Sequence, residues 1–201
     1  MKKYALTGGP GCGKSTVSAI LREIANWKII DADAVCHEIY AAPGPELAEQ
    51  LTARWGNDVI APDGMVNRRA LADAVFSGRS GGIAELNRIV HPVIHQEILR
   101  RMEQGGPDDV MVLDAALLYE TGWDSIATDG VIAVWTDPEE QHARLKARGW
   151  SEEQIAGRIA AQLSADEKLE RADWGLINNS TVDALREQCL LLIDKIQTKT
   201  K

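Results

Sequence analysis

Lys2-Lys3-Tyr4-Ala5-Leu6-Thr7-Gly8-Gly9-Pro10-Gly11-Cys12-Gly13-Lys14-Ser15-Thr16 opens the chain and decides how the rest is read. Lys2 to Thr7 reads as a short strand. Gly8 to Ser15 fits the pattern G-x-x-x-x-G-K-[ST]. Thr16 then leads into Val17, Ile20, Leu21 and Ile24, which is helical spacing. Strand, glycine loop and helix in this order form a phosphate-binding loop. The chemistry needs these residue types. Gly8, Gly9, Gly11 and Gly13 let the backbone turn tightly and aim successive N–H groups, Cys12 and Thr16 among them, at one anion. The helix start adds roughly half a positive charge. Lys14 brings a full charge to the β- and γ-phosphates, and the Ser15 hydroxyl ligates Mg²⁺. A dinucleotide fingerprint is excluded by spacing: Gly9, Gly11 and Gly13 run G-x-G-x-G, not G-x-G-x-x-G.

Working outward, the 201 residues suffice for one α/β domain with an insert, and 45% hydrophobic with 26% charged residues is ordinary globular composition. No apolar run approaches the ~20 residues of a membrane span. The phosphate loop begins so early that no signal peptide is expected ahead of it. Cys12, Cys36 and Cys189 form no C-x-x-C, so a reducing cytoplasm is the expected compartment. The net charge of −8 argues against general nucleic-acid binding. Residues 66–101 depart from it, with Arg68, Arg69, Arg79, Arg88, Arg100 and Arg101 against Asp73, Glu85 and Glu97. An anionic small substrate and a solvated helical face are both consistent with that island.

Trp27 to Asp31 reads as a second strand. Helices follow over Asp33–Tyr40, Glu46–Trp55, Arg68–Phe76 and Ile83–Glu103. Pro62-Asp63-Gly64 forms a turn, Ser77–Gly82 a flexible joint, and Pro92 predicts a kink or break near His91. Residues of about 41–107 thus form a helical insert between strands two and three. Val110–Asp114 and Val131–Trp135 are apolar runs suited to a parallel sheet covered on both faces. Asp137 and Pro138 start a helix, and Ser151–Gln154 and Ser164–Glu167 are capping boxes. Trp174–Asn178 is a last strand. The final helix carries a core stripe of Val182, Leu185, Cys189, Leu192, Ile193 and Ile196.

Among phosphate-loop proteins, a signalling GTPase would need Asn-Lys-x-Asp and Asp-x-x-Gly; neither occurs. A small kinase fits: a short chain, an insert for the acceptor and an arginine-rich lid over about 138–165. Asp33 lies just past strand two, at the edge where ligands sit in such sheets, and is a candidate general base. Asp31 is the alternative base, and Asp33 may serve instead as a helix cap. Asp114 ends strand three as an outer-sphere Mg²⁺ partner or a helix cap. Arg144 and Arg148 share one helix face, as do Arg158 and Gln162; arginines so placed meet transferring phosphates or solvent. His91 and His95 have metal-ligand spacing on a helix but no third ligand in evidence. Cys12 is a small loop residue that, if partly exposed near the helix start, would be reactive.

The chain resembles dephospho-CoA kinases over essentially its whole length. The matching stretches are Leu6–Gly9 through Ser15-Thr16, Ile30–Asp33, Asp63-Gly64 through Arg68 and Leu71 to Phe76, and Leu86-Asn87 through Val90-His91-Pro92. Further on come Leu117-Leu118 with Glu120, Arg158 with Gln162, and Ala172-Asp173 through Asn178. It departs from that family at Ala116 (commonly Pro), at Asn67 (commonly Asp) and at Asn26-Trp27-Lys28 (commonly with a glycine). The resemblance implies a three-layer α/β P-loop NTPase fold of the nucleotide-kinase kind, with core 1–40 and 108–201, helical acceptor insert and helical lid. It implies ATP with Mg²⁺ as donor and dephospho-CoA as acceptor, in a monomer or weak homo-oligomer without nucleic acid or membrane. Asp33 then takes the proton of the ribose 3′-hydroxyl, Lys14 and Arg148 meet the phosphates, and Arg144, Arg158, Asn178 and Asn179 lie toward ATP. Asp31, Arg68, His91, Leu117 and Glu120 face the acceptor. The competing readings are a kinase of another nucleoside or nucleotide and a non-catalytic nucleotide-binding regulator.

Overall fold

The computed structural model describes residues 1–77 and 82–198. The joint expected over Ser77–Gly82 falls mostly outside them, and so does Arg79. The chain divides into two compact units, Met1–Ile30 with Met102–Lys201, and Asp31–Arg101.

In the first unit, β1 (Lys2–Gly8) lies at the centre of a five-stranded sheet. Around it stand β2 (Lys28–Asp31), β3 (Val110–Asp114), β4 (Gly130–Trp135) and β5 (Trp174–Ile177), in the order β2-β3-β1-β4-β5. β1 pairs in parallel with β3 and β4, and β4 with β5. Crossover helices cover both faces of a parallel sheet, so its central strands carry no solvated face and their sequences are continuous apolar runs. Thr7 and Asp114 are the polar exceptions, both buried at the carboxyl ends of their strands.

Helices α1 (Lys14–Ala25) and α9 (Val182–Thr198) share one apolar cluster with the sheet. It is built from Leu6, Val112, Ile132 and Val134 of the strands against Val17, Ile20, Leu21, Leu185, Cys189 and Ile196. Each fully buried leucine here, such as Leu6 or Leu21, contributes about 1.5–3 kcal/mol. Trp27 stacks on Tyr4 at 5.9 Å and 7° between planes, and both rings are buried in the cluster. Val182 departs from the expected stripe: it is 59% exposed, because it is the first residue of α9 and lies before the helix settles on the sheet. Three more helices belong to this unit: α6 (Pro138–Ala147), α7 (Glu152–Ala160) and α8 (Ala165–Arg171). Of these, α8 packs against β1 and β4. Asp137 caps α6 through the Glu139 N–H, and reciprocal capping boxes close the starts of α7 and α8.

The second unit holds α2 (Ala32–Ala41), α3 (Pro45–Trp55), α4 (Arg68–Phe76) and most of α5 (Gly82–Met102). Its buried side chains include Val35, Leu47, Leu51, Leu71 and Val75. An isolated antiparallel bridge joins Ile60 and Val66 around the Pro62-Asp63-Gly64 turn. Asn67 caps α4 by accepting from the Ala70 N–H at 3.1 Å, so the departure from Asp keeps the capping function. α5 is not broken at Pro92. Proline removes one N–H, whose partner would be the Arg88 carbonyl; both residues are exposed, where an unpaired carbonyl costs less than in the core, and the helix continues. Three of the six arginines of the basic island are neutralised locally: Arg88 by Glu85, Arg100 by Glu97, and Arg101 by Glu97 and Glu38. Arg68 and Arg69 are exposed at the start of α4.

Two outcomes follow from these local contacts. Asn67→Ala is expected to lower unfolding free energy by about 1 kcal/mol in urea titrations, and Asn67→Asp to cost nothing. Hydrogen bonds from Arg100 and Arg101 hold the Glu97 carboxyl down at about 2, against an ordinary value of 4.5. The stability it supplies is present above pH 4.5 and is lost as pH falls toward 2. Glu97→Gln should therefore lower the Tm at pH 6 and have little effect near pH 2, in paired melting curves.

Candidate active site

The phosphate loop is the turn between β1 and α1. Gly13 takes φ 92°, a left-handed conformation, and stands as N-cap of α1 with no side chain bonding the first-turn amides. The Thr16 and Val17 N–H groups bond the Gly13 carbonyl at 3.0 and 3.1 Å, and the Cys12 N–H bonds the Gly9 carbonyl at 3.3 Å. The Cys12 and Thr16 amides expected to meet the anion are therefore already engaged, and among the described residues the Lys14 and Ser15 N–H groups are the first-turn donors left for an external acceptor. The loop is braced from behind. The Cys12 carbonyl accepts from Asn178 Nδ2 at 2.9 Å and from the Thr136 hydroxyl at 3.2 Å. The Pro10 carbonyl accepts from Gln141 Nε2 at 2.6 Å. The braces lie so close that a Cβ on Gly13 would meet Asn178 Nδ2 at 2.1 Å, and one on Gly9 would meet Gln141 Nε2 at 2.8 Å. Gly8 closes against the Val134 carbonyl in the same way, and Gly11 against Leu145.

Cys12 is fully buried, and burial pushes its thiol above the ordinary range. The partial exposure a reactive thiol needs is therefore missing. Ser15 is exposed on the first turn of α1, and Thr16 is half-buried beside it.

Asp114 does not cap a helix, because the chain continues into a loop after β3. Its buried carboxylate takes the Lys14 ammonium on Oδ1 and the Ser18 hydroxyl on Oδ2 at 2.6 Å. Ser18 was not legible as a site residue; its one signal was a polar residue on the apolar side of α1. Asn178 and Arg144 also turn inward. Arg144 donates to the Asn178 carbonyl at 2.8 Å and pairs with Glu140 at 3.0 Å. Asn179 accepts from the Asp137 N–H at 2.8 Å.

Arg148 ends α6 as its C-cap, exposed and with no side-chain hydrogen bond or ion pair among the described residues. Arg158 lies over the Trp150 ring at 5.7 Å. Gln162 does not share its helix face, since α7 stops at Ala160; Ser164 is already capping α8, which leaves no room for another turn. Instead Gln162 accepts from Lys168. Glu120 likewise meets Lys168, at 3.0 Å, and accepts from the Leu163 N–H at 2.8 Å. Leu117 beside it is 41% exposed.

In the second unit, Asp31 and Asp33 divide their roles. Asp31 is the N-cap of α2 and accepts from the N–H groups of Asp33 and Ala34. The cap position is thus filled by Asp31, not by Asp33. The Asp33 carboxylate, one residue into the helix, is exposed with no side-chain hydrogen bond among the described residues. His91 is half-buried, and burial lowers its pKa, so it is neutral near pH 7.

The residues also fit a magnesium–nucleotide complex. Among the described residues no three His, Cys, Asp or Glu side chains converge on one point. Mg²⁺ commonly takes one or two protein oxygens and completes its shell with phosphates and water. An exposed Ser15 hydroxyl at an uncapped helix start, with a carboxylate at the adjacent strand end, is such a donor set.

Comparison with known proteins adds the family. The family model for dephospho-CoA kinase matches residues 4–184. This chain belongs to the dephospho-CoA kinase family. The dephospho-CoA kinase of Symbiobacterium thermophilum is 45% identical over 193 residues, 94% of this chain and 78% of that one. A crystal structure of a Thermus thermophilus protein superposes with a TM-score of 0.78 at 31% identity, covering 96% of each chain. The fold is also that of a Campylobacter jejuni dephospho-CoA kinase, with a TM-score of 0.75 at 23% identity over 100% of both chains. The three-layer P-loop kinase fold expected from the sequence is the one found. No helix among the described residues is long and apolar enough to cross a membrane.

Gly13→Ala should weaken ATP binding by tenfold or more, because it combines a left-handed φ with a Cβ inside the Asn178 brace. Calorimetric titration with MgATP measures this.

Proposed function

We propose that the chain transfers the γ-phosphoryl group of ATP to the ribose 3′-hydroxyl of dephospho-CoA, giving coenzyme A and ADP. Family membership over nearly the whole chain is the observation that carries this reading. The site is built to match. First-turn amides of α1, with Lys14, hold the β- and γ-phosphates. Ser15, with Asp114 behind it, would hold Mg²⁺, which when bound would supply charge neutralisation to the phosphates. On arrival of the nucleotide the Lys14 ammonium exchanges part of its contact with Asp114 for phosphate oxygens.

Asp33 accepts the proton of the 3′-hydroxyl as its oxygen attacks the γ-phosphorus. The bond from that phosphorus to the bridging oxygen breaks, and ADP leaves with the bond pair. A free carboxylate beside a capping one supports this division: Asp31 holds the start of α2 rigid, so Asp33 is positioned without being neutralised. Arg148, unengaged at the end of α6, is the lid cation best placed to meet the transferring phosphates. Arg158 and Arg144 are the next candidates, and Arg144 must first release Glu140 or Asn178. Residues 138–165 are read as the lid. Arg68, neutral His91 and exposed Leu117 are read as acceptor contacts, in an insert of mainly helical residues. A reducing cytoplasm accords with three free cysteines.

ADP release measured with dephospho-CoA against a panel of nucleosides and nucleotides is the direct test. Turnover with dephospho-CoA, and a 3′-phosphate on the product by ³¹P NMR, is expected; turnover confined to another acceptor, or none, overturns the reading. Asp33→Asn should lower kcat by about 10²–10⁴ while ATP affinity stays within about threefold. Unchanged kcat would remove Asp33 from the mechanism.

A further inference from the structure

Lys168 is a buried cation that the phosphate chemistry above does not use. Its side chain is 0% exposed on α8, where an apolar residue would be ordinary. An ammonium has three N–H donors, and three acceptors meet it: the Ala116 carbonyl at 2.5 Å, Gln162 Oε1 at 3.0 Å and Glu120 Oε1 at 3.0 Å. Burial lowers its pKa and the Glu120 carboxylate raises it in return. A cation so enclosed depends on these partners to offset the cost of its burial.

The three partners come from two stretches of chain. Ala116 and Glu120 belong to the loop that follows Asp114. Gln162 belongs to the link between α7 and α8, next to Leu163, whose N–H the same Glu120 oxygen accepts at 2.8 Å. The Ala116 carbonyl takes a further contact from the Thr7 hydroxyl at 3.4 Å. Lys168 therefore fastens the trailing end of α7 to the strand ends that carry Thr7 and Asp114. The leading end, around Gly149 and Trp150, is held by backbone bonds within residues 144–150 and by exposed pairs of Glu152 with His142 and Lys146, all close in the chain and none to a strand end.

We propose that Lys168 is a positioning residue for phosphoryl transfer, a clamp that with Glu120 fixes the trailing hinge of the helical lid so that closure pivots there. The proposal rests on the kinase reading for its activity readout. It assigns Glu120 to the clamp rather than to the acceptor. Removing the clamp leaves the phosphate loop intact but lets the lid arginines close off register, and a misplacement near 1 Å can cost on the order of 10²-fold in rate.

Lys168→Met, Glu120→Gln and the double variant test it, the double because neutralising both members of a buried pair is tolerated better than stranding one. Expected is a fall in kcat of about tenfold or more in Lys168→Met, ATP Kd within about threefold, and no further loss in the double variant. Faster amide hydrogen exchange at Leu163 and Ser164, with α1 unchanged, should accompany it. A folded Lys168→Met or double variant with wild-type kcat overturns the proposal. So does a loss in which kcat, ATP binding and α1 protection fall together, because that marks general destabilisation. Should no variant fold, the unmodified protein decides: Leu163 must exchange about tenfold or more slowly than Gly149, and equal rates overturn the clamp. Hydrogen exchange needs no acceptor, so a wild-type enzyme inactive on dephospho-CoA would sink the kinase reading while leaving the clamp to stand or fall by itself.

Discussion

The molecule depends on holding the turn from β1 into α1 so that the Lys14 and Ser15 amides, at a helix start with no side-chain cap, face an external anion. The loop that carries them is held in place through its carbonyls. The neighbouring elements do this with neutral groups. Thr136 and Asn178 bind the Cys12 carbonyl, and Gln141 binds that of Pro10. Hydroxyl and amide donors satisfy the carbonyls without bringing an acid against the cup, so its positive potential survives for a phosphate. The glycines of the loop are the other half of this constraint. Asn178 and Gln141 approach so closely that side chains at Gly13 and Gly9 would displace them.

Charge is placed with similar economy. Asp114 holds Lys14 and Ser18 at the end of β3, so the half-buried ammonium of the phosphate loop is partnered. Lys168, the buried cation of this region, has its proton affinity lowered by burial and by the Lys14 charge. The region thus carries two positive groups, each tied to one carboxylate. That arrangement favours an incoming polyanion over a neutral ligand, because phosphate relieves the repulsion that the two lysines share. On the second unit the same logic separates two neighbouring acids. Asp31 is neutralised by the helix start it caps, and Asp33 is left with its carboxylate open.

Much of this was legible beforehand. The phosphate loop, the strands and the helix starts came out within a residue or two, because each is written locally: glycine spacing, apolar runs and Ser-x-x-Glu or Ser-x-x-Gln signatures. The misreadings have physical causes too. Pro92 reads as a kink or a break; the break does not occur, since Pro92 and Arg88 one turn before it are exposed and α5 runs on. Val182 reads as core by its period, yet it occupies the first helical position. Gln162 reads as the partner of Arg158 at four residues' spacing, although the helix ends before it.

The sequence by itself determined the phosphate-binding chemistry and the parallel fold, because both rest on short-range rules linking residue type to backbone shape. Family resemblance added the acceptor. Only the tertiary structure decided which polar side chains are engaged and which are open: Asp31 capping against Asp33 exposed, Asn178 bracing the loop, Glu120 joined to Lys168. Those outcomes depend on contacts such as Asn178 with Cys12, 166 residues apart in the chain. Sequence spacing carries no distance across such a gap; the folded sheet does, by bringing the ends of β1, β3 and β5 to one edge.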